Sequence, residues 1–478
     1  MRPRSAPPNG GGQGLLVLLL AAQFMVVADS SIMNVALPSI QTALEFSPSG
    51  LQWVLTAYAL TYGGFLLLGG RLGDLIGSRR VLLAGLVVFA LASLGGGLAF
   101  SPAVLVLARA VQGFGAALVA PATLALINTT VVEDARRRRA LSWWGAVNAA
   151  GFAAGVLLGG VLVEFLSWRA ALLVNLPATV LAGLAAVRLL PAERSLTTRG
   201  HYDLPGAITV TAPMALLVYV FSRAPEVGWT SAATLTPFAC ALALMGGFVV
   251  IEARAAAPLV PLGLFRHRLV SAANGVIAMF GLCAGVGLFF LLSLYMQQVW
   301  GYSPLLTGLA FLPLGLLIFA SAPLVGRILT HLSPSRVLLP GLGLTAAGLG
   351  WLSLLSPHGG YLTGLLPGLV LIGLGYGPVQ VTTVTAATTS RPASEQGLAS
   401  GVFNTTANVA GALGAAIYTQ IVASAGQTSD PAALASGYTT AFAVGAALAA
   451  SALALAAIAF TRTSPPHRHG LLEKNQET

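Results

Sequence analysis

Charge is what this sequence lacks most. Of its 478 residues, 24 are Lys or Arg and 14 are Asp or Glu, together 8%. A soluble domain carries about 25% charged residues, so a water-covered globular surface is excluded. Disorder is excluded by the opposite excess, because 56% of the chain is apolar. Lysine is nearly absent: Lys474 follows Glu473, and every other basic residue is Arg. A phosphate-binding G-x-x-x-x-G-K-[ST] loop needs Lys after Gly, so the chain has no ATPase loop of that kind. Cys240 and Cys283 both sit in apolar runs, and they define neither a disulfide framework nor a metal site.

What is present is a series of long apolar runs. Glycine, at 56 residues, suits closely packed membrane helices. A spanning helix needs about 20 mostly apolar residues. The sequence predicts fourteen of them, at 14–38, 50–70, 80–99, 102–125, 140–165, 169–190, 204–222, 234–252, 270–297, 304–326, 337–355, 361–385, 400–423 and 437–461. The first run is too long for a cleaved signal peptide and carries Asp29. An all-α polytopic membrane protein is therefore expected, with polar tails at 1–13 and 462–478.

The net charge of +10 orients such a chain better than it would bind nucleic acid. With the N-terminus inside, 21 basic residues fall in inner segments and only Arg169 and Arg223 in outer loops. That asymmetry predicts two cytoplasmic termini. The chain also repeats. Gly70, Arg71, Arg80, Val81, Leu82, Leu83 and Gly85 recur 256 residues later as Gly326, Arg327, Arg336, Val337, Leu338, Leu339 and Gly341. Two parallel six-helix halves follow, 14–190 and 270–461, with a linker at 191–269 that holds two additional helices. Parallel halves of this kind enclose a central site with alternating access.

Ionisable groups inside a membrane are costly and usually functional. Only Asp29 and Arg109 fall deep within the expected spans. Asp29 lies before the outer end of helix 1 at Pro38, and Arg109 after the outer start of helix 4 at Pro102. At 1.5 Å per residue they lie roughly 13 and 10 Å below the outer boundary. Burial favours a neutral carboxyl and a nearby guanidinium favours the anion, so a deep acid beside a deep base reads as a proton-coupling site. A purely structural ion pair is the plainer alternative. Gln112 shares the Arg109 face at helical spacing. In helix 5, Asn148, Gly151, Gly155 and Gly159, with Gly160 beside them, form a stripe that lets a facing helix approach. Asp74 stands in the first inner loop among Gly70, Arg71, Gly73, Gly77, Arg79 and Arg80, where it can cap and pair.

Several of these stretches resemble the major facilitator superfamily, and within it the fourteen-helix drug:proton antiporter group. GGRLGDLIGSRR (69–80) is similar to the superfamily's loop signature after helix 2, LVLARAVQGFGAA (105–117) to its helix 4 signature, and GFAAGVLLGG (151–160) to the antiporter signature of helix 5. ADSSIMNVALP (28–38) is similar to the helix 1 signature of the fourteen-helix group, as are SWRAALLVNLP (167–177), YMQQVWGYSP (295–304) and SGVFNTTANVAGALGAA (400–416) to others. The resemblance implies a conformational gate at 70–80 locked by Asp74, a role for Arg109 in proton transfer, and an exporter of drugs or antibiotics in a bacterial plasma membrane. It implies no cofactor beyond the proton gradient and no catalytic or metal residue.

There are departures. Leu75 and Ser78 stand where the loop signature often has basic residues, Val156 where the helix 5 signature usually has Pro, and Ser31 in place of the usual Thr. Thr330 stands opposite Asp74 in the second half. Helices 9 to 14 contain no Asp or Glu, so neutral, zwitterionic, anionic or singly cationic amphipathic substrates are expected. Expected cavity residues are Gln23, Asn34, Tyr58, Tyr62, Gln112, Asn148, Tyr295, Gln298, Tyr376, Gln380, Asn404 and Asn408, each of which would serve equally in packing. Proton-coupled uptake of a small solute is the alternative function. The deep segments hold no H-E-x-x-H, paired carboxylates or Ser-His arrangement, which argues against a membrane enzyme. The expected partners are the drug, protons and the bilayer, with the chain monomeric.

Overall fold

A computed structural model describes residues 9–131, 133–190, 262–389, 393–424 and 431–460, and most of 212–254. Among these no strand occurs. The spans are α1 (Asn9–Leu44), α2 (Trp53–Ile76), α3 (Ser78–Gly97), α4 (Pro102–Thr130), α5 (Asp134–Phe165), α6 (Trp168–Leu189), α7 (Ala232–Arg254), α8 (Arg268–Val299), α9 (Pro304–Ile328), α10 (Pro334–Leu352), α11 (Tyr361–Thr388), α12 (Ala393–Ser424) and α13 (Pro431–Phe460). The span expected at 204–222 lies largely outside the described residues. Ten of the helices are long and apolar enough to cross a membrane.

Local chemistry explains several boundaries. α4 and α9 begin with Ser-Pro, and the Ser101 and Ser303 hydroxyls accept from the Val104 and Leu306 N–H groups at 3.4 and 3.3 Å. Serine satisfies a free helix-end donor, and Pro fits the first turn because it has none. α2 and α3 meet at Gly77, whose φ of +97° is a conformation that favours glycine.

α1 corrects one expected boundary. Pro38 lies inside the helix, which runs on to Leu44. Proline removes one donor, and the carbonyl four residues earlier must then be satisfied from elsewhere. In a multi-helix bundle a neighbouring hydroxyl does this, as described below.

The repeat in the sequence is a repeat in space. α3 and α10 begin 256 residues apart, at Ser78 and Pro334. In the first half α1 packs on α5, α2 on α4, α3 on α4 and α3 on α6; in the second α8 packs on α12, α9 on α11, α10 on α11 and α10 on α13. Across the halves α5 packs on α9 and α2 on α12. These two contacts exchange under the repeat, because α5 corresponds to α12 and α2 to α9. The halves are thus related by a pseudo-twofold axis. α7 touches this bundle sparingly, through Phe248 beside Leu68, Leu264, Val270, Ala399 and Val402. Large apolar side chains such as Leu91, Leu107, Leu181, Leu316 and Leu362 point outward, as a lipid-facing surface requires.

Candidate functional site

Five helices of the first half build the surroundings of one carboxylate. Asp29 from α1 and Arg109 from α4 are both fully buried, with Arg109 Nη1 2.7 Å from Asp29 Oδ2. Gln112, one turn beyond Arg109, donates from Nε2 to Asp29 Oδ1 at 2.9 Å. Its Oε1 accepts from Arg109 Nη1 at 2.5 Å. Asn175 of α6 donates to Asp29 Oδ1 at 2.6 Å. Ser93 of α3 accepts from Gln112 at 2.9 Å. α2 completes the enclosure: Arg109 Nε donates to Val54 O at 3.0 Å, and the Tyr58 ring lies 4.4 Å from the guanidinium carbon. The carboxylate thus receives three donors, and the cation a carboxylate, an amide, a carbonyl and an aromatic face. Arg109 Nη2 is the one guanidinium nitrogen without a hydrogen-bond partner. Removing one member of such a pair costs about 3–5 kcal/mol, because the other charge is left buried alone.

Backbone packing sets this geometry. Gly151, Gly155 and Gly159 of α5 face Val27, Ala28 and Ile32 of α1, and a Cβ at Gly155 would stand 2.5 Å from Ala28 O. Gly160 faces Pro304 and Leu305 of α9 instead, so α5 joins the halves as well as seating the Asp29 helix. Asn148 lies outside the residues whose side chains are described. Pro121 leaves Ala117 O without its intrahelical donor, and Gly69 of α2 lies directly against that carbonyl.

The segment 70–80 forms the α2–α3 turn. Arg71 and Arg80 are exposed and Gly73 is buried. Gly70 lies near Pro121 of α4. Gly77 N–H donates to Gly73 O at 3.1 Å, and Arg79 Nη2 donates to Val187 O of α6 at 3.1 Å. The Asp74 side chain lies outside the described residues. Thr330, opposite it in the repeat, turns back to bond Arg327 O at 2.7 Å.

The end assigned outside by the arginine count is closed between α1 and α8. Pro38 deprives Asn34 O of a donor, and Ser293 Oγ supplies one at 2.6 Å. Gln297 Nε2 donates to Val35 O at 3.1 Å, and Gln298 Nε2 to Gln41 Oε1 at 3.0 Å. Tyr438 of α13 donates to Gln298 Oε1 at 2.8 Å. Tyr295 is fully buried against Trp300 and Tyr438. The expected cavity residues Tyr295 and Gln298 therefore belong to this outer seam. Gln112, expected on a cavity wall, is a bonded member of the charge cluster.

The remaining expected cavity residues are spread along both halves. Tyr62 stacks on Tyr58, with ring centroids 5.9 Å apart. Asn404 and Asn408 donate to Ser400 O and Asn404 O on their own helix, at 2.8 and 2.9 Å. Asn408 lies against Gly63 of α2, and Thr405 donates to Gly63 O at 2.7 Å. Tyr376 meets the edge of Phe280, and Gln380 is half-buried. Gln23 and Asn34 are buried on α1. Sequence reasoning misses Asn175 and Ser93. Asn175 stands in the stretch SWRAALLVNLP, so a signal existed, but an amide without a partner assigned to it does not announce one. Ser93 had none. Glu252, in the last turn of α7, is a third buried charge among the described residues.

A duplicated helical bundle with a buried ion pair inside its first half defines a membrane transporter built for alternating access. Residues 19–415 match the Major Facilitator Superfamily, and the chain belongs to that family, as a multi-pass protein of the bacterial plasma membrane. It is 43% identical over 457 residues to a cephamycin export protein of Amycolatopsis lactamdurans, covering 94% of this chain and 93% of that one. It is 41% identical over 454 residues to a puromycin resistance protein of Streptomyces alboniger, covering 93% and 89%. Among solved structures, a bacterial homologue of the human peptide transporters PepT1 and PepT2 aligns with a TM-score of 0.64 at 16% identity, covering 94% of this chain and 98% of that one. The nucleoside transporter NupG aligns with a TM-score of 0.66 at 11% identity, covering 93% and 100%. These two share the fold alone.

Proposed function

We propose that this protein exports amphipathic drugs or antibiotics in exchange for protons. The observation that carries the reading is the sealed Asp29–Arg109 pair beneath a closed outer end, in a chain whose relatives are named for antibiotic export and resistance. In the conformation described, Asp29 accepts from Arg109, Gln112 and Asn175. Opening the outer end parts α1 from α8 and admits water to the acid. Proton uptake weakens the pairing, substrate leaves, and the return carries the proton inward. One charge moving through 100 mV supplies about 2.3 kcal/mol. At roughly 1.4 kcal/mol per tenfold, that sustains a gradient near fifty-fold.

The substrate class follows from charge. Asp29 is bonded to its own protein partners, and helices α8 to α13 contain a single acid, Glu395, in the first turn of α12. Neutral, zwitterionic, anionic and singly cationic amphiphiles fit, and dications do not. The gate at 70–80, the α5 glycines, and Asn34, Tyr58, Tyr62, Gln380, Asn404 and Asn408 toward the substrate complete the assignment, with both termini cytoplasmic and the chain acting as a monomer. The test uses everted vesicles energised with lactate and offered puromycin or a cephamycin. Export predicts accumulation inside them that collapses with a protonophore. Proton-coupled uptake predicts accumulation in right-side-out vesicles instead.

A further inference from the structure

Protonating Asp29 creates a problem of hydrogen bonding that the structure solves in one place. As an anion Asp29 accepts from Arg109, Gln112 and Asn175. A neutral carboxyl must donate one O–H, and an O–H aimed at a fixed donor leaves two hydrogens facing each other in a buried site. Arg109 has no acceptor to offer. Gln112 is pinned at both ends: its oxygen takes Arg109 Nη1 and its nitrogen serves Asp29 and Ser93. Turning that amide over would point its NH2 at the guanidinium. The Tyr58 hydroxyl is turned to Val26 O, to which it donates, and makes no hydrogen bond to Asp29. Among the described side chains of α5 no titratable one faces the pair; its contact with this stretch of α1 is made by Gly151, Gly155 and Gly159.

Asn175 is different. Its nitrogen bonds Asp29 Oδ1 and its oxygen makes no hydrogen bond to any described residue. Its place is fixed through its backbone, whose carbonyl accepts from Thr179 at 2.7 Å. The side-chain amide is therefore free to turn through about 180° without breaking another bond. We propose that Asn175 is the positioning residue for proton loading: its amide donates to Asp29 when the acid is ionised and, turned over, accepts from it when the acid is protonated. The proton comes from hydronium in the outward-open state, which leaves as water, and it returns to water on the inner side. Nothing else is made or broken. The inference rests on the proton-coupling reading of Asp29, and its test needs no transported compound.

The experiment is an infrared pH titration of the purified protein in lipid nanodiscs, following the carboxyl C=O band that Asp29→Asn abolishes. In Asn175→Leu the anion loses a charge-assisted bond and the acid only a weaker, neutral one. The net effect is about a tenfold gain in proton affinity: the band half-forms about one pH unit higher than in the wild type, and its frequency moves because the O–H has lost its acceptor. Asn175→Asp keeps the shape. It places a second carboxyl within bonding distance, so the pair retains a shared proton and a carboxyl band persists at alkaline pH. An Asn175→Leu band with wild-type midpoint and frequency overturns the proposal. So does an Asn175→Asp protein whose band disappears at the wild-type pH. Failure of puromycin or cephamycin transport, with these titrations as expected, would instead remove the export reading and leave this one standing.

Discussion

Ser293→Ala tests whether Pro38 built the outer closure. The Asn34 carbonyl has no intrahelical donor, because residue 38 is proline, and the Ser293 hydroxyl meets it at 2.6 Å in a fully buried position. Removing the hydroxyl leaves a buried acceptor unsatisfied, a cost of about 1–3 kcal/mol. Opening the outer end lets water reach that carbonyl, so the cost falls on the closed state alone. The open fraction should rise by about tenfold for each 1.4 kcal/mol. The assay is maleimide labelling of a Val35→Cys probe, in a background where the exposed Cys240 is replaced by Ser. Val35 is fully buried in the closed state, so the labelling rate follows the open fraction. The expected result is a rise of about tenfold in rate on adding Ser293→Ala, in line with that cost. The decisive control is Pro38→Ala, which restores an N–H able to bond Asn34 O within α1. In that background Ser293→Ala should change labelling less than about twofold, the carbonyl being satisfied already. Equal effects in the two backgrounds would refute the reasoning.

Further outcomes follow from the same contacts. Arg109→Lys keeps the charge but loses the fork that reaches Val54 O, Gln112 and Asp29 together; proton-driven export in everted vesicles should fall by more than about tenfold. Tyr58→Leu removes the aromatic face over the guanidinium, and a cation–π contact of about 1–2 kcal/mol should appear as a lower melting temperature of the purified protein, with Tyr58→Phe close to wild type. Gly155→Val forces α5 away from Ala28 and Ser31; the yield of folded, monodisperse protein should drop sharply, whereas a substitution at Gly183, which has open space around it, should be tolerated.

Much of the fold was legible because a bilayer leaves so few options. Apolar runs of the right length depend on local composition, and lipid enforces them residue by residue; the 256-residue repeat is legible by laying one half against the other. Asp29 and Arg109 were legible for the same reason: a charge in the middle of an apolar run is costly and stands out. What composition does not show is partnership. Asn175 and Ser93 reach the ion pair through contacts between helices; Asn175 sits in a family-like stretch that names no partner for it, and nothing along the chain sets Ser93 apart from other small polar residues. Pro38 read as a stop because proline usually ends a helix, and only the position of Ser293 on a distant span explains why the helix continues. Gln298 and Tyr295 read as cavity residues by type, yet type does not tell a cavity wall from a seam between halves.

The central claim is that Asp29 is the coupling acid, and proton release on substrate binding tests it most directly. Purified protein in weakly buffered detergent solution is offered an amphipathic compound that it binds, and the pH is followed with an indicator dye. The wild type is predicted to release protons on binding, and Asp29→Asn to bind the compound and release none. Undiminished release from Asp29→Asn would contradict the account.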